Sequence, residues 1–265
     1  MIGILNAYHF DFTPGNYQEH YNKLITDFLL RTFPSEKVRH YKIASSENFG
    51  SPYGTGEWPL SNDECSAWII TGSSKSAYDN VPWVQQLQNW IREFDQRSFV
   101  QSLNGGKKVG KNAPRKSAQK LIGICFGHQV IAQALGGQVE KSSKGWGVGV
   151  QTIKVVKSQP WMKPSQTKLS LIFSHQDQVV ELPSGSVATV LATNDFCPNQ
   201  IIQYGKDILT FQGHPEFTAE FARLRLESRI KIITPEVYEK AMASFSNNHR
   251  DDKIVGQWLR EFVKD

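Results

Sequence analysis

Cysteine is scarce in this chain: Cys65, Cys125 and Cys197 are the only three among 265 residues. An odd, widely spaced set cannot form a complete disulfide framework and points to a reducing compartment, read as the cytoplasm. Long apolar runs are also missing. None approaches the roughly 20 residues that cross a bilayer, so neither a transmembrane helix nor a membrane partner is expected. The opening Met1-Ile2-Gly3-Ile4-Leu5 has no basic residue ahead of its apolar run and no small-residue cleavage site after it. It reads as a first strand, not a signal peptide.

Acidic residues are absent from one stretch, and that absence explains the net charge. Between Gln101 and Lys120 lie Lys107, Lys108, Lys111, Arg115, Lys116 and Lys120, with no Asp or Glu. Set those six aside from the net +5 and the rest of the chain carries −1. The basicity therefore belongs to one Gly- and Pro-containing segment, expected to be a surface insertion at about 101–120 that the chemistry does not need. No aromatic residues interleave with it and no reader motif accompanies it, so nucleic acid is not an expected partner.

What the chain does contain is a regular alternation. Short apolar runs at Ile2–Ala7, Val38–Ile43, Ala67–Ile70, Leu121–Ile124, Val148–Val156, Leu169–Phe173, Val187–Ala192 and Ile208–Gln212 read as strands. Stretches with helical spacing lie between them, at Tyr17–Thr32, Trp83–Phe94 and Gly127–Leu135. A helical region begins at Thr218 and is punctuated by Pro235. The alternation predicts an α/β fold: an open, largely parallel sheet with helices on both faces. No linker or internal repeat divides it, so one domain spanning 1–265 is expected.

The chemistry concentrates in two segments. Gly123-Ile124-Cys125-Phe126-Gly127-His128-Gln129 puts a cysteine between two glycines where a buried strand turns into a helix. Small neighbours permit such a sharp turn, and the helix start favours a thiolate. The Phe126 amide is then placed to donate to an oxyanion. The bland alternative is a buried structural cysteine at a strand end. In the second segment, Gly213-His214-Pro215-Glu216 follows the strand at Ile208–Gln212, which brings His214 out at a strand's C-terminal end. Glu216 can accept from one imidazole nitrogen while the other faces sulfur, giving nucleophile, base and orienter. Taken singly, His214 could be a turn histidine and Glu216 a helix-start carboxylate. All three in this arrangement make those readings much weaker.

In these residues the chain resembles the class I glutamine amidotransferase family, and among its members the GMP synthase amidotransferase domain and γ-glutamyl peptidases. The resemblance runs from about Ile2 to Phe217. It implies the flavodoxin-like fold of that family and a catalytic triad of Cys125, His214 and Glu216. It also implies oxyanion-holding amides at Gly72, Ser73 and Phe126, within Thr71-Gly72-Ser73 and the elbow. Substrate contacts are implied at Gln129, at Gly145-Trp146-Gly147, and at His175 within Ser174-His175-Gln176-Asp177-Gln178-Val179. The expected reaction is cysteine-dependent cleavage of glutamine's γ-amide through a γ-glutamyl thioester, with no metal and no organic cofactor. Glutamine or a γ-glutamyl compound is the substrate. No ATP site or synthase module is evident, so ammonia passes to a separate synthase or the enzyme hydrolyses γ-glutamyl peptides. A non-catalytic binding or regulatory protein on the same scaffold is the reading from another class.

Other motifs are weaker. Gly105-Gly106-Lys107-Lys108-Val109-Gly110-Lys111-Asn112 nearly spells a phosphate loop, but Asn112 replaces the metal-binding hydroxyl and no buried strand leads into it. Cys125 and His128 have a spacing zinc can use, yet no second close pair accompanies them. His128 reads as a hydrogen-bonded residue beneath the elbow, and Cys65 and Cys197 as structural thiols.

Overall fold

The computed structural model describes residues 1–8, 17–44, 56–61, 64–103, 119–185, 188–247 and 250–265. In chain order its first elements are β1 (Ile2–Asn6), α1 (Tyr17–Thr32), β2 (Val38–Lys42), β3 (Ala67–Ile70), α2 (Pro82–Leu103), β4 (Lys120–Ile124) and α3 (Phe126–Ala134). The strands β5 (Gln138–Lys141), β6 (Gly147–Val155), β7 (Lys168–His175), β8 (Asp177–Glu181), β9 (Ala188–Thr193), β10 (Ile201–Tyr204) and β11 (Ile208–Phe211) follow. Three helices close the chain: α4 (Ala219–Glu227), α5 (Pro235–Ser244) and α6 (Asp252–Lys264).

β1, β3, β4 and β11 are buried at every residue. Strands covered on both faces read as unbroken apolar runs, which is the signature of a parallel sheet. They pair accordingly. The sheet order is β2-β1-β3-β4-β11-β10-β9-β6-β7, and the first five strands are parallel neighbours. With β11 as fifth strand this is the doubly wound 2-1-3-4-5 order. Beyond β11 the sheet continues antiparallel through β10, β9, β6 and β7, while β5 and β8 form a separate two-stranded ribbon.

The period of two along each strand sends alternate side chains to two cores. Ile2, Ile4, Ile122, Ile124 and Phe211 pack with Tyr21 and Phe28 of α1, Phe221 of α4 and Trp258 of α6. Leu5, Trp68, Ile70 and Leu121 pack with Leu87 and Ile91 of α2 and Val130 and Ile131 of α3. Helices thus cover both faces, as the alternation implied. Thr218 caps α4 by accepting the Phe221 amide at 3.2 Å, and Pro235 sits in the first turn of α5, which needs no amide there.

Three differences from the sequence reading stand out. β5, β8 and β10 were not foreseen; each is four or five residues long, too short for a period to register against polar neighbours. α2 continues past Phe94 to Leu103, so the first residues assigned to the basic insertion belong to a helix. Lys120, counted with the insertion's charges, opens β4 instead. Its ammonium is 3.1 Å from Asp207 and donates to the Lys206 carbonyl at 3.0 Å, a neutralised buried charge. Residues 104–118, including the phosphate-loop look-alike, lie outside the described residues. Among the described residues no helix is long and apolar enough to cross a membrane.

The junction of β4 and α3 is the tightest contact in the sheet's neighbourhood. A Cβ on Gly127 would lie 2.2 Å from the Ile70 carbonyl oxygen, and one on Gly123 would lie 2.6 Å from the Gly127 carbonyl oxygen. Both obstructions are backbone, which cannot turn away as a side-chain tip can. Gly127→Ala should therefore cost about 2–4 kcal/mol of unfolding free energy in a denaturant titration. Wild-type stability would show that α3 can lift from β3 without penalty.

Candidate active site

The C-terminal ends of β1, β3, β4 and β11 converge at one edge, where open α/β sheets build their sites. Cys125 leaves β4 with φ 53° and ψ −101°, the only non-glycine residue with positive φ among the described residues. Such a conformation costs about 1–3 kcal/mol and persists only where its surroundings over-determine it. Here they do. The Cys125 amide donates to the Phe211 carbonyl at 2.8 Å, its carbonyl accepts from Gln129 at 3.0 Å, and the Gly127 amide donates to Thr71 at 3.1 Å. The turn presents the thiol at the start of α3, next to the helix's positive end.

His214 follows β11 and is fixed on three sides. Its amide donates to the Ile172 carbonyl at 2.8 Å, and its ring stacks on Phe217 with centroids 3.8 Å apart. Nδ1 lies 2.8 Å from Glu216 Oε1, and the imidazole is close enough to Cys125 to interact with it. Histidine and glutamate are only 3% and 2% exposed. Burial alone would lower the imidazole pKa. The charges of Glu216 and Cys125 and their hydrogen bonds outweigh it, and the pKa rises to about 10. The ion pair thus stabilises the fold fully below the unfolded histidine's pKa near 6.5, and this contribution is lost as pH rises through about 10.

Glu216 is held from behind. Tyr21 donates its hydroxyl to Oε1 at 3.4 Å, and the Gly72 backbone hydrogen-bonds Tyr21 in turn. Burial, then the Glu216 charge, keeps that phenol protonated. Gly72 therefore backs the pair; a Cβ there would sit 3.2 Å from the His214 ring. Its neighbour Ser73 lines the cavity instead.

That cavity, about 240 Å³, is lined by Cys125 and Gln129. Ser73–Ser76 and Tyr78 form one wall, Trp146 and Ser174–Asp177 the other. Asp177 joins the walls by accepting from Ser76 at 2.5 Å and Tyr78 at 3.3 Å. Gln129 donates its side-chain amide to the Asp177 carbonyl at 2.7 Å and to Gln212 at 3.0 Å. Gly145, at φ 81°, and Gly147 flank Trp146, and a Cβ on Gly147 would strike His175 Nε2 at 2.8 Å. His175 Nδ1 lies 3.0 Å from the Asp177 carbonyl, which can only accept, so that nitrogen carries the proton. Burial lowers the His175 pKa to about 4, leaving it neutral beside the ion pair.

Of the residues foreseen, Cys125, Ser73, Gln129, Trp146 and His175 line this cleft, and the buried His214–Glu216 pair lies beside Cys125; Gly72, Phe126, Gly145 and Gly147 are not among its lining residues. His128 does not reach it. Its Nδ1 is 2.8 Å from the Thr210 hydroxyl, which itself donates to the Ile202 carbonyl and so must accept from the imidazole. Cys65 and Cys197 are buried elsewhere; burial raises both thiols, Cys197 to about 11. Sequence reasoning missed Tyr21, hidden in an ordinary amphipathic helix, and Arg229, which lines the cavity from beyond α4.

A γ-glutamyl peptidase 5 of Arabidopsis thaliana is 31% identical over 220 residues, covering 79% of this chain and 78% of that protein. The chain belongs to the class I glutamine amidotransferase family. The model of that family, "Glutamine amidotransferase class-I", matches residues 107–228, a span that holds Cys125, His214 and Glu216. One component of the glutamine-hydrolyzing GMP synthase of Methanosarcina acetivorans is 36% identical over 97 residues, covering 36% of this chain and 50% of that protein. In fold, the amidotransferase chain aligns with a solved glutamine amidotransferase structure from Methylobacillus flagellatus. The TM-score is 0.65 at 17% identity, over 99% of this chain and 94% of that one.

The buried histidine under the elbow gives this amidotransferase a measurable acid sensitivity. Burial holds His128 neutral, its pKa lowered to about 3, whereas the unfolded residue titrates near 6.5. Protons therefore favour the unfolded chain, and stability should fall by about 3 kcal/mol on this residue's account between pH 6.5 and 4. His128→Gln should flatten the pH dependence of unfolding by that amount. An unchanged slope would show that His128 does not titrate on unfolding.

Proposed function

We propose that this protein hydrolyses γ-glutamyl amide bonds through a thioester on Cys125, with His214 and Glu216 completing a catalytic triad. The observation that carries the reading is the buried 2.8 Å pair of His214 and Glu216 beside a cysteine at positive φ. A raised imidazole pKa keeps His214 as imidazolium beside Cys125, where it can pair with the thiolate that nucleophilic attack requires.

The thiolate attacks the γ-carbonyl carbon, and the amides of Phe126 and Ser73, with Gly72 behind, hold the oxyanion. Imidazolium gives its proton to the departing nitrogen as the carbon–nitrogen bond breaks. Neutral His214 then takes a proton from water as it attacks the thioester, and glutamate leaves with the thiolate restored. Gln129, the Gly145–Gly147 segment and His175 hold the glutamyl group. A non-catalytic role would leave the strained cysteine and buried ion pair without purpose.

The departing group is ammonia, destined for a partner synthase, or an amino acid or peptide. Similarity to γ-glutamyl peptidase 5 across most of both chains favours the second, as do the aromatic groups of Tyr78 and Trp146 on the cavity walls. Turnover of glutamine against a panel of γ-glutamyl peptides separates them.

Cys125→Ser is nearly isosteric and should lower kcat by about 1,000-fold or more with an unchanged melting curve. A glutamine-analogue electrophile should label Cys125 and spare Cys65 and Cys197, whose raised pKa values keep them as thiols. Wild-type turnover by the serine variant would overturn the assignment.

A further inference from the structure

Arg229 is a cation of the cleft, beside Lys75 and Lys141, that the reaction above leaves unused. Its guanidinium lies 4.9 Å from the Trp146 ring centroid, stacked over the face, and donates to Ser174 Oγ at 2.6 Å. It is close enough to interact with Tyr8 and Cys125. The Trp146 contact and the Ser174 hydrogen bond hold it in place but supply no carboxylate. Among the described residues no carboxylate pairs with it. The one acidic side chain lining the cavity, Asp177, spends its oxygens on Ser76 and Tyr78. Burial first, and the neighbouring Arg225 charge second, push the Arg229 pKa down to about 10, as for a cation short of negative company.

A guanidinium has five donors in a planar fork, and the hydrogen bond to Ser174 leaves others for the cavity. Lys75 and Lys141 line the same space. We propose that Arg229 reads a free carboxylate on the substrate, making the cleft selective for γ-glutamyl compounds that carry one at its reach. This rests on the γ-glutamyl hydrolase reading of the same site and adds a specificity-determining residue to it. The carboxylate has two sources: the α-carboxylate of the glutamyl group, or the carboxylate of the departing amino acid. A planar fork pairs with either bidentately, which an ammonium cannot reproduce.

The test compares kcat and KM for two substrate pairs, each with wild type, Arg229→Gln and Arg229→Lys. L-glutamine against its α-amide reports the glutamyl carboxylate; γ-glutamyl-glycine against γ-glutamyl-glycinamide reports the departing one. Wild type should prefer the acid in one pair by about 10- to 100-fold in kcat/KM, carried chiefly by KM. Arg229→Gln should abolish that preference by weakening the acid alone, and Arg229→Lys should restore only part of it. If wild type hydrolyses these compounds without preferring the acid in either pair, the inference falls even if a variant fails to fold. The same holds if Arg229→Gln keeps the preference intact. If wild type hydrolyses no γ-glutamyl compound at all, the hydrolase reading itself is wrong.

Discussion

The close approach of α3 to β3 and β4 is the constraint on which the rest of the site depends. Gly123 and Gly127 let the helix start within van der Waals reach of the strands, and any Cβ at Gly127 would meet the Ile70 carbonyl. With so little room the chain must reverse within a single residue, and that residue is Cys125 at φ 53°. The turn's strain, about 1–3 kcal/mol, is borne by a largely buried β4–α3 unit whose backbone bonds reach β11 and the Thr71 loop. The same contact that packs the helix aims the thiol at the sheet's edge.

Electrostatics then divides three buried histidines by their partners. All suffer the same burial, which disfavours the imidazolium. His214 meets Glu216 and Cys125 and rises to about 10; His128 meets a hydroxyl and His175 a carbonyl, and they fall to about 3 and about 4. The cleft consequently holds one imidazolium at neutral pH, placed against the cysteine, while its neighbours stay neutral. Hydrogen bonding through Tyr21 and Gly72 ties the carboxylate behind that imidazolium to the loop whose Ser73 lines the cavity.

Much of this was legible in the residues because its causes are local. Tyr17–Thr32 and Ala67–Ile70 read as a helix and a strand and are α1 and β3. The elbow glycines flank their cysteine within five residues, and Glu216 stands two residues from His214. What was not legible arises across the fold. β10 is four residues long and exists because β9 and β11 flank it. Lys120 looked like one more charge in a basic run until Asp207, 87 positions away in sequence, neutralised it. Arg229 acquires its setting from Trp146, Ser174 and Tyr8, contributed by three separate segments.

The central claim is that one γ-glutamyl thioester on Cys125 lies on the path of every substrate. Partitioning of that intermediate between water and added hydroxylamine tests it most directly. If the thioester is common, the ratio of γ-glutamyl hydroxamate to glutamate at fixed hydroxylamine will be the same from glutamine and from γ-glutamyl peptides, since the leaving group has already gone. A ratio that changes with the leaving group, or turnover that yields no hydroxamate, would contradict the account.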